Sequence, residues 1–225
     1  MEGKLRQVSE FELAAYRKNP DKLYSDLVPR YDKQSVSKMM SAFKDFENSP
    51  LAQRIRQRAV SGQPPEPEDI AEMQKRMQEL QGERPKQIGG IESPHIGLSQ
   101  DGSILSLHKS WHCLHFVLTG ASWDSAEPPL GNAIMGGVEI PDRQNVMGSG
   151  PARFLTPGQV REVAAELVRF PIQEKAEAFD SEVAEEKKVY VPDHEGEELI
   201  YYFDLLRDFY QDAAAKGNGM ILWVE

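Results

Sequence analysis

The chain of 225 residues can bury a large core, and its 40% hydrophobic and 28% charged content is that of a globular protein. A net charge of −10 excludes the basic footprint of a general nucleic-acid binder, and one cysteine excludes an internal disulfide. No apolar run reaches the roughly 20 residues that cross a bilayer, and Met1-Glu2-Gly3-Lys4 is no secretory leader, so the expectation is a reducing cytosol without membrane contact.

Lys4 to Val8 reads as a short strand. Ser9-Glu10-Phe11-Glu12 then fits a capping box, with Ser9 as N-cap and Glu12 at the third helical position; Val8 and Leu13 can staple it. Asn19-Pro20-Asp21 breaks or restarts that helix. Residues 31–95 change texture, with ten acidic and ten basic side chains among 31–92 and four of the eight methionines. Val36, Met39, Met40, Phe43 and Phe46 repeat at helical spacing, as do Leu51, Ile55 and Ala59, and then Ile70, Met73, Met77 and Leu80. Gln63 to Pro67 separates the second helix from the third, and Glu83 to Pro94 is a Pro/Gly-rich connector. The methionine stripes serve either to pack the segment or to offer an adaptable surface to a partner. Arg54, Arg56 and Arg58 make a small basic patch, more in keeping with a solvated face than an anion site.

Leu107, Trp111, Leu114 and Leu118 then form one stripe, and Cys113, Phe116 and Val117 make much of the remaining surface apolar. A helix hydrophobic almost all round belongs inside, so this segment, stopped by Gly120, marks the centre of the core. Ala121 to Pro129 is rich in turn residues. Ala133 to Ile140 is strand-like, and Gly136-Gly137 within it suggests a bulge or a close approach of backbones. Gly148-Ser149-Gly150-Pro151 leads to a second capping box, Thr156-Pro157-Gly158-Gln159. Asp180 is placed to cap a short helix ending near Lys188. Leu199, Phe203, Leu206, Tyr210 and Ala213 share a face of the last helix, which ends at Lys216-Gly217 before a strand from Met220 to Val224. The expected fold class is α+β: a small mixed or antiparallel sheet packed with helices. A single domain over 1–225 carries a helical insertion at about 31–95.

Trp111-x-x-Leu114-His115-Phe116-x-Leu118-Thr119-Gly120 is followed by Pro129-Leu130, Gly150-Pro151-Ala152-Arg153-Phe154-Leu155-Thr156-Pro157, and Val189-Tyr190 near Pro192. Together with the Val8-Ser9-x-x-Glu12 start, this order resembles the YfbM-like proteins of bacteria, a domain of unknown function. The resemblance covers roughly 1–30 and 98–225. It implies one α+β domain of the bacterial cytosol without an established activity, and makes 31–95 an enlarged insertion. His115 falls on a motif position, His112 and Cys113 on variable ones.

His108, His112 and His115 fall within about 60° on a helical projection, and the first two have the i, i+4 spacing that lets imidazoles share an ion. No HExxH, cysteine pair or acidic third ligand accompanies them, so they read as structural, neutral histidines with no metal or cofactor. Cys113 and His112 point about 100° apart on a helix and cannot pair as nucleophile and base. Ser149 lacks the G-x-S-x-G setting of a nucleophile elbow. Arg153, just ahead of a helix start at Thr156, could clasp an anion with the free amides there, or it could anchor the chain by an ion pair while Thr156 only caps. A non-catalytic binding or protein-interaction module fits these features, with contacts through the insertion or the acidic C-terminal helix. Residues 171–225 hold 14 acidic and 5 basic side chains. The alternative is a small-molecule enzyme or anion-binding protein with a pocket near His115, Gly136, Gly137, Arg153 and Thr156.

Overall fold

A computed structural model describes residues 1–28, 30–31, 33–82, 87–89, 97–122, 126–142, 149–191 and 196–225. In chain order the elements begin with β1 (Gly3–Val8), α1 (Glu10–Lys18), α2 (Pro20–Leu27), β2 (Arg30–Tyr31), α3 (Lys33–Glu47), α4 (Pro50–Val60) and α5 (Pro67–Gly82). They continue with β3 (Gln87–Gly89), β4 (Gly97–Leu98), β5 (Ile104–Ser106), α6 (Trp111–Thr119), β6 (Val138–Glu139) and β7 (Arg153–Leu155). The last are α7 (Pro157–Arg169), α8 (Ile172–Glu177), α9 (Ser181–Glu186), α10 (Gly196–Lys216) and β8 (Gly219–Val224). The chain divides into two compact units, Met1–Ser25 with Glu92–Glu225, and Asp26–Ile91.

The first unit is an α+β structure on an open antiparallel sheet of six strands in the order β4-β5-β1-β8-β7-β6. The two ends of the chain lie side by side at its centre, with Lys4 opposite Trp223 and Arg6 opposite Ile221. Leu5, Met220 and Leu222 pack with Leu114, Val160, Leu206 and Tyr210 into the core, where α10 lies along α7 and α8. On the face that carries Arg6 and Phe154, Arg6 donates to the Tyr16 hydroxyl of α1 at 3.0 Å, and the Arg17 guanidinium stands 5.0 Å from the Phe154 ring centre. Ser9 and Thr156 both close full capping boxes, with Glu12 and Gln159 reaching back to the cap amides.

The second unit is the helical trio α3, α4 and α5 with a two-stranded ladder, β2 against β3. Arg54 of α4 donates through Nε and Nη2 to Asp69 of α5, at 3.0 and 2.9 Å. Val36, Met39, Phe43, Met77 and Leu80 lie in α3 and α5 as their spacing predicts, but their side chains are outside the described residues. So are Gly148, Pro192 and most of the Glu83–Pro94 connector, whose residues 87–89 form β3 instead.

Two expectations need correction. Leu107 and His108 do not continue the Trp111 helix as the stripe and the histidine projection assume, because His108 takes a left-handed φ of 49° and opens a 3₁₀ turn over His108–Ser110. Within Ala133–Ile140 only Val138–Glu139 is strand. The Asn132 side chain accepts the Gly137 N–H at 3.1 Å, taking an amide that a longer strand would give to its neighbour.

Candidate functional site

The central helix α6 is an interior pillar. His112 is 1% and His115 0% exposed, with Cys113 buried between them. Trp111 stacks on the His112 ring, centres 4.9 Å apart and planes 15° from parallel. The Nδ1 of His112 accepts the Tyr190 N–H at 3.1 Å, which ties the chain after α9 to the pillar. Burial holds the His112 pKa below its usual value, opposed in part by a hydrogen bond with the Ser122 backbone. An acceptor nitrogen in a buried ring is a neutral imidazole doing architectural work.

His108 does not join that helix. Its Nε2 lies 3.8 Å from Glu2 Oε1, in a charged cluster at the start of α6. Lys4, itself buried, pairs with Glu225 and reaches Glu2 at 3.7 Å, while Ser110 Oγ donates to Glu198 of α10 at 3.0 Å. Burial, with the nearby charges of Glu198 and Glu2, pushes the Tyr202 hydroxyl up to about 12. The cluster fastens both ends of the chain, which meet at the sheet centre, to the start of α6 and to α10. Because Lys4 and Glu225 are 221 positions apart, no local motif announces it. Among the described residues no group of three or more His, Cys, Asp or Glu side chains could hold a metal ion.

Arg153, Gly136 and Gly137 are brought together by the β6–β7 pairing, in which Arg153 stands directly opposite Glu139. The guanidinium donates to the Met135 carbonyl and to Glu139, each at 2.7 Å, so both amino groups are engaged within the protein. A Cβ on Gly136 would lie 2.3 Å from the Asn132 Cα, and one on Gly137, whose φ is +94°, would lie 2.4 Å from the Phe154 carbonyl oxygen. These glycines are there for close backbone packing. The Thr156 hydroxyl is held in its capping box with Gln159. His115, sealed inside α6, lines neither of the two pockets described next. Ser149 is an exposed residue ahead of β7 and belongs to no strand-to-helix elbow.

The first pocket, of about 510 Å³, lies between α4 and α5. Arg54 and Arg58 line it, but Arg54 pairs with Asp69 and Glu72, and Arg58 with Glu66, so both arginines of this pocket are answered by carboxylates. The second, of about 520 Å³, opens where α6 ends against α8 and α9. Phe116, Val117, Phe170, Phe179 and Val183 give it apolar walls, and Lys175 and Asp180 are its ionisable residues. Asp180 is also the N-cap of α9, accepting the Val183 N–H at 3.2 Å. The Thr119 hydroxyl donates to the His115 carbonyl at 2.7 Å. Lys187 stands over the Phe116 ring, 5.1 Å from its centre. Sequence reasoning missed this groove, although the acidic run through α8 and α9 was visible. Its walls converge from residues that sit some 60 positions apart.

No helix among the described residues is long and apolar enough to cross a membrane. A family model described as "Domain of unknown function (DUF1877)" matches residues 1–223. A solved structure described as a protein of unknown function, YfbM from Escherichia coli, is 13% identical with a TM-score of 0.47, over 99% of this chain and 98% of that one. No curated protein matches the sequence.

Proposed function

The chain belongs to the DUF1877 family, a domain of unknown function, and from that premise we propose that it is a non-catalytic binding module of the bacterial cytosol. The carrying observation is the groove at the end of α6: it has apolar walls and ionic rims and, among the described residues, no nucleophile beside a base. Its hydroxyl, Thr119, is engaged with a backbone carbonyl, and its carboxylate, Asp180, caps a helix. Such a surface suits holding a partner. The lone, buried Cys113 supports a reducing compartment. The family match runs through 31–95 as well, which supports reading the chain as one family domain. The anion-binding alternative around His115 and Arg153 loses support, because Arg153 already has two internal acceptors.

Capture from native lysate on immobilised protein tests the proposal. Val183→Arg, which fills the groove from its exposed wall, is expected to lose the captured partner. Arg153→Ala is expected to keep it while lowering stability by about 1–2 kcal/mol, for one exposed ion pair and one hydrogen bond. Capture insensitive to Val183→Arg but lost in Arg153→Ala at unchanged melting temperature overturns it.

A further inference from the structure

Resting on the groove at the end of α6 as the contact surface of the proposed module, we infer that it receives the C-terminal residue of a partner protein, an apolar side chain with its free carboxylate. The walls account for the side chain. Phe116, Val117, Phe170, Phe179 and Val183 line the groove, and Val183 is 42% exposed there, so an entering aromatic residue takes apolar surface out of water.

The cations at the same surface account for the carboxylate. Lys175 of α8 lines the groove, and Lys187, just after α9, stands 5.1 Å from the centre of the Phe116 ring that walls it. Both lysines are exposed, and among the described residues neither forms an ion pair. Arg54, Arg58 and Arg153, by contrast, each pair with a carboxylate. Asp180 also lines the groove, but its carboxylate accepts the Val183 N–H at 3.2 Å as the N-cap of α9. Two ammonium groups therefore face one engaged carboxylate. The C-terminal turn of α6 disfavours an anion beside Thr119 and Gly120, so the negative group belongs on the side of α8 and α9, where the lysines are.

One negative charge suits this surface better than several. Glu174 and Glu186 do not line the groove, but they are the chain neighbours of Lys175 and Lys187 and are exposed. They stand inside a Debye length of about 8 Å and oppose any further anionic group. An acidic segment would bring several carboxylates into that field. A chain end brings one, on the same residue as its apolar side chain, and capture of a terminal carboxylate is a familiar mode of recognition. The volume of about 520 Å³ suits one or two residues. Gly120, Lys175, Ala178, Asp180 and Val183 are all exposed, so the rest of the partner chain has an open way out.

Acetylated pentapeptides titrated into the intact, isotope-labelled protein test the inference, with the amide resonances of Gly120 and Val183 followed by NMR. The peptides are Gly-Ser-Gly-Ser-Phe as the free acid, the same peptide amidated, Gly-Ser-Gly-Ser-Ala as the free acid, and amidated Gly-Ser-Glu-Phe-Gly, whose carboxylate is on a side chain. The phenylalanine acid is expected to shift these amides saturably and to bind about fivefold more tightly than its amide, the strength of a good exposed ion pair. It should exceed the alanine acid by about tenfold, for the missing ring. Lys175→Gln with Lys187→Gln, both at exposed sites, should erase the difference between acid and amide. Val183→Trp, which fills the groove without changing its charge, should weaken both by about tenfold. Equal affinity of acid and amide overturns the carboxylate, and equal affinity of the two acids overturns the apolar anchor. Tighter binding by the glutamate-containing peptide overturns the chain end. Absence of saturable shifts with all four peptides overturns the inference as a whole, while lysate capture that is still lost in Val183→Arg keeps the broader reading.

Discussion

Arg153 and His112 were each open to two readings from sequence, and in both the neighbours decide. Arg153 sits opposite Glu139 and under the Met135 carbonyl, so its charge is answered inside the molecule. His112 is buried as an acceptor and its pKa is lowered, which carries a pH prediction. Below the ordinary value of 6.5 the unfolded chain takes up a proton that the folded one refuses. Stability therefore falls as pH drops through and below 6.5, since the unfolded state then binds more protons. Urea denaturation at pH 7.5, 6.5 and 5.5 should show this decline, and His112→Gln should flatten that window. Gly136 makes a steric prediction. An alanine there would drive its Cβ against the Asn132 Cα and the Gly131 carbonyl, 2.3 and 2.6 Å away, so Gly136→Ala should cost about 3 kcal/mol in denaturant titration. Nothing about the glycine pair in sequence distinguishes that packing from a ligand approach.

At the scale of elements, caps and periodicity were the legible features. Ser9–Glu12 and Thr156–Gln159 both close as their spacing predicts, since a capping box involves only residues three apart. Thr156→Ala should therefore lower stability by about 1 kcal/mol while leaving the sheet signal in circular dichroism unchanged. The long face of α10, from Leu199 to Ala213, is buried throughout as its period predicts. Where long-range bonds compete, local reading failed. Leu107 and His108 fell outside α6, where His108 leaves the helical region and Ser110 bonds to Glu198, 88 residues away. The run around Gly136 became a turn because the Asn132 side chain took an amide that its apolar neighbours had suggested was for a strand. The helix α8 was unforeseen, being only six residues long, too short for a period to register.

For the whole molecule, the core cluster is drawn entirely from Met1–Ser25 and Glu92–Glu225. Replacing 26–91 by a flexible Gly/Ser linker should accordingly leave the six-stranded sheet folded, with near-UV signals from buried Trp111 and Trp223 retained. Loss of those signals would mean that the first unit depends on the second for its fold. Composition, cap spacing and apolar period were enough to establish the α+β class, the interior place of the Trp111–Leu118 segment and the three helices within 33–82, while the order of several short motifs carried the family resemblance. Each of these depends on residues a few positions apart, or on the chain's average chemistry. The pairing of both chain ends at the sheet centre, the internal answer to Arg153, and the groove walled by α6, α8 and α9 were decided only in three dimensions. Their partners are separated by tens to hundreds of residues, and no periodicity links groups that meet only after the chain has folded.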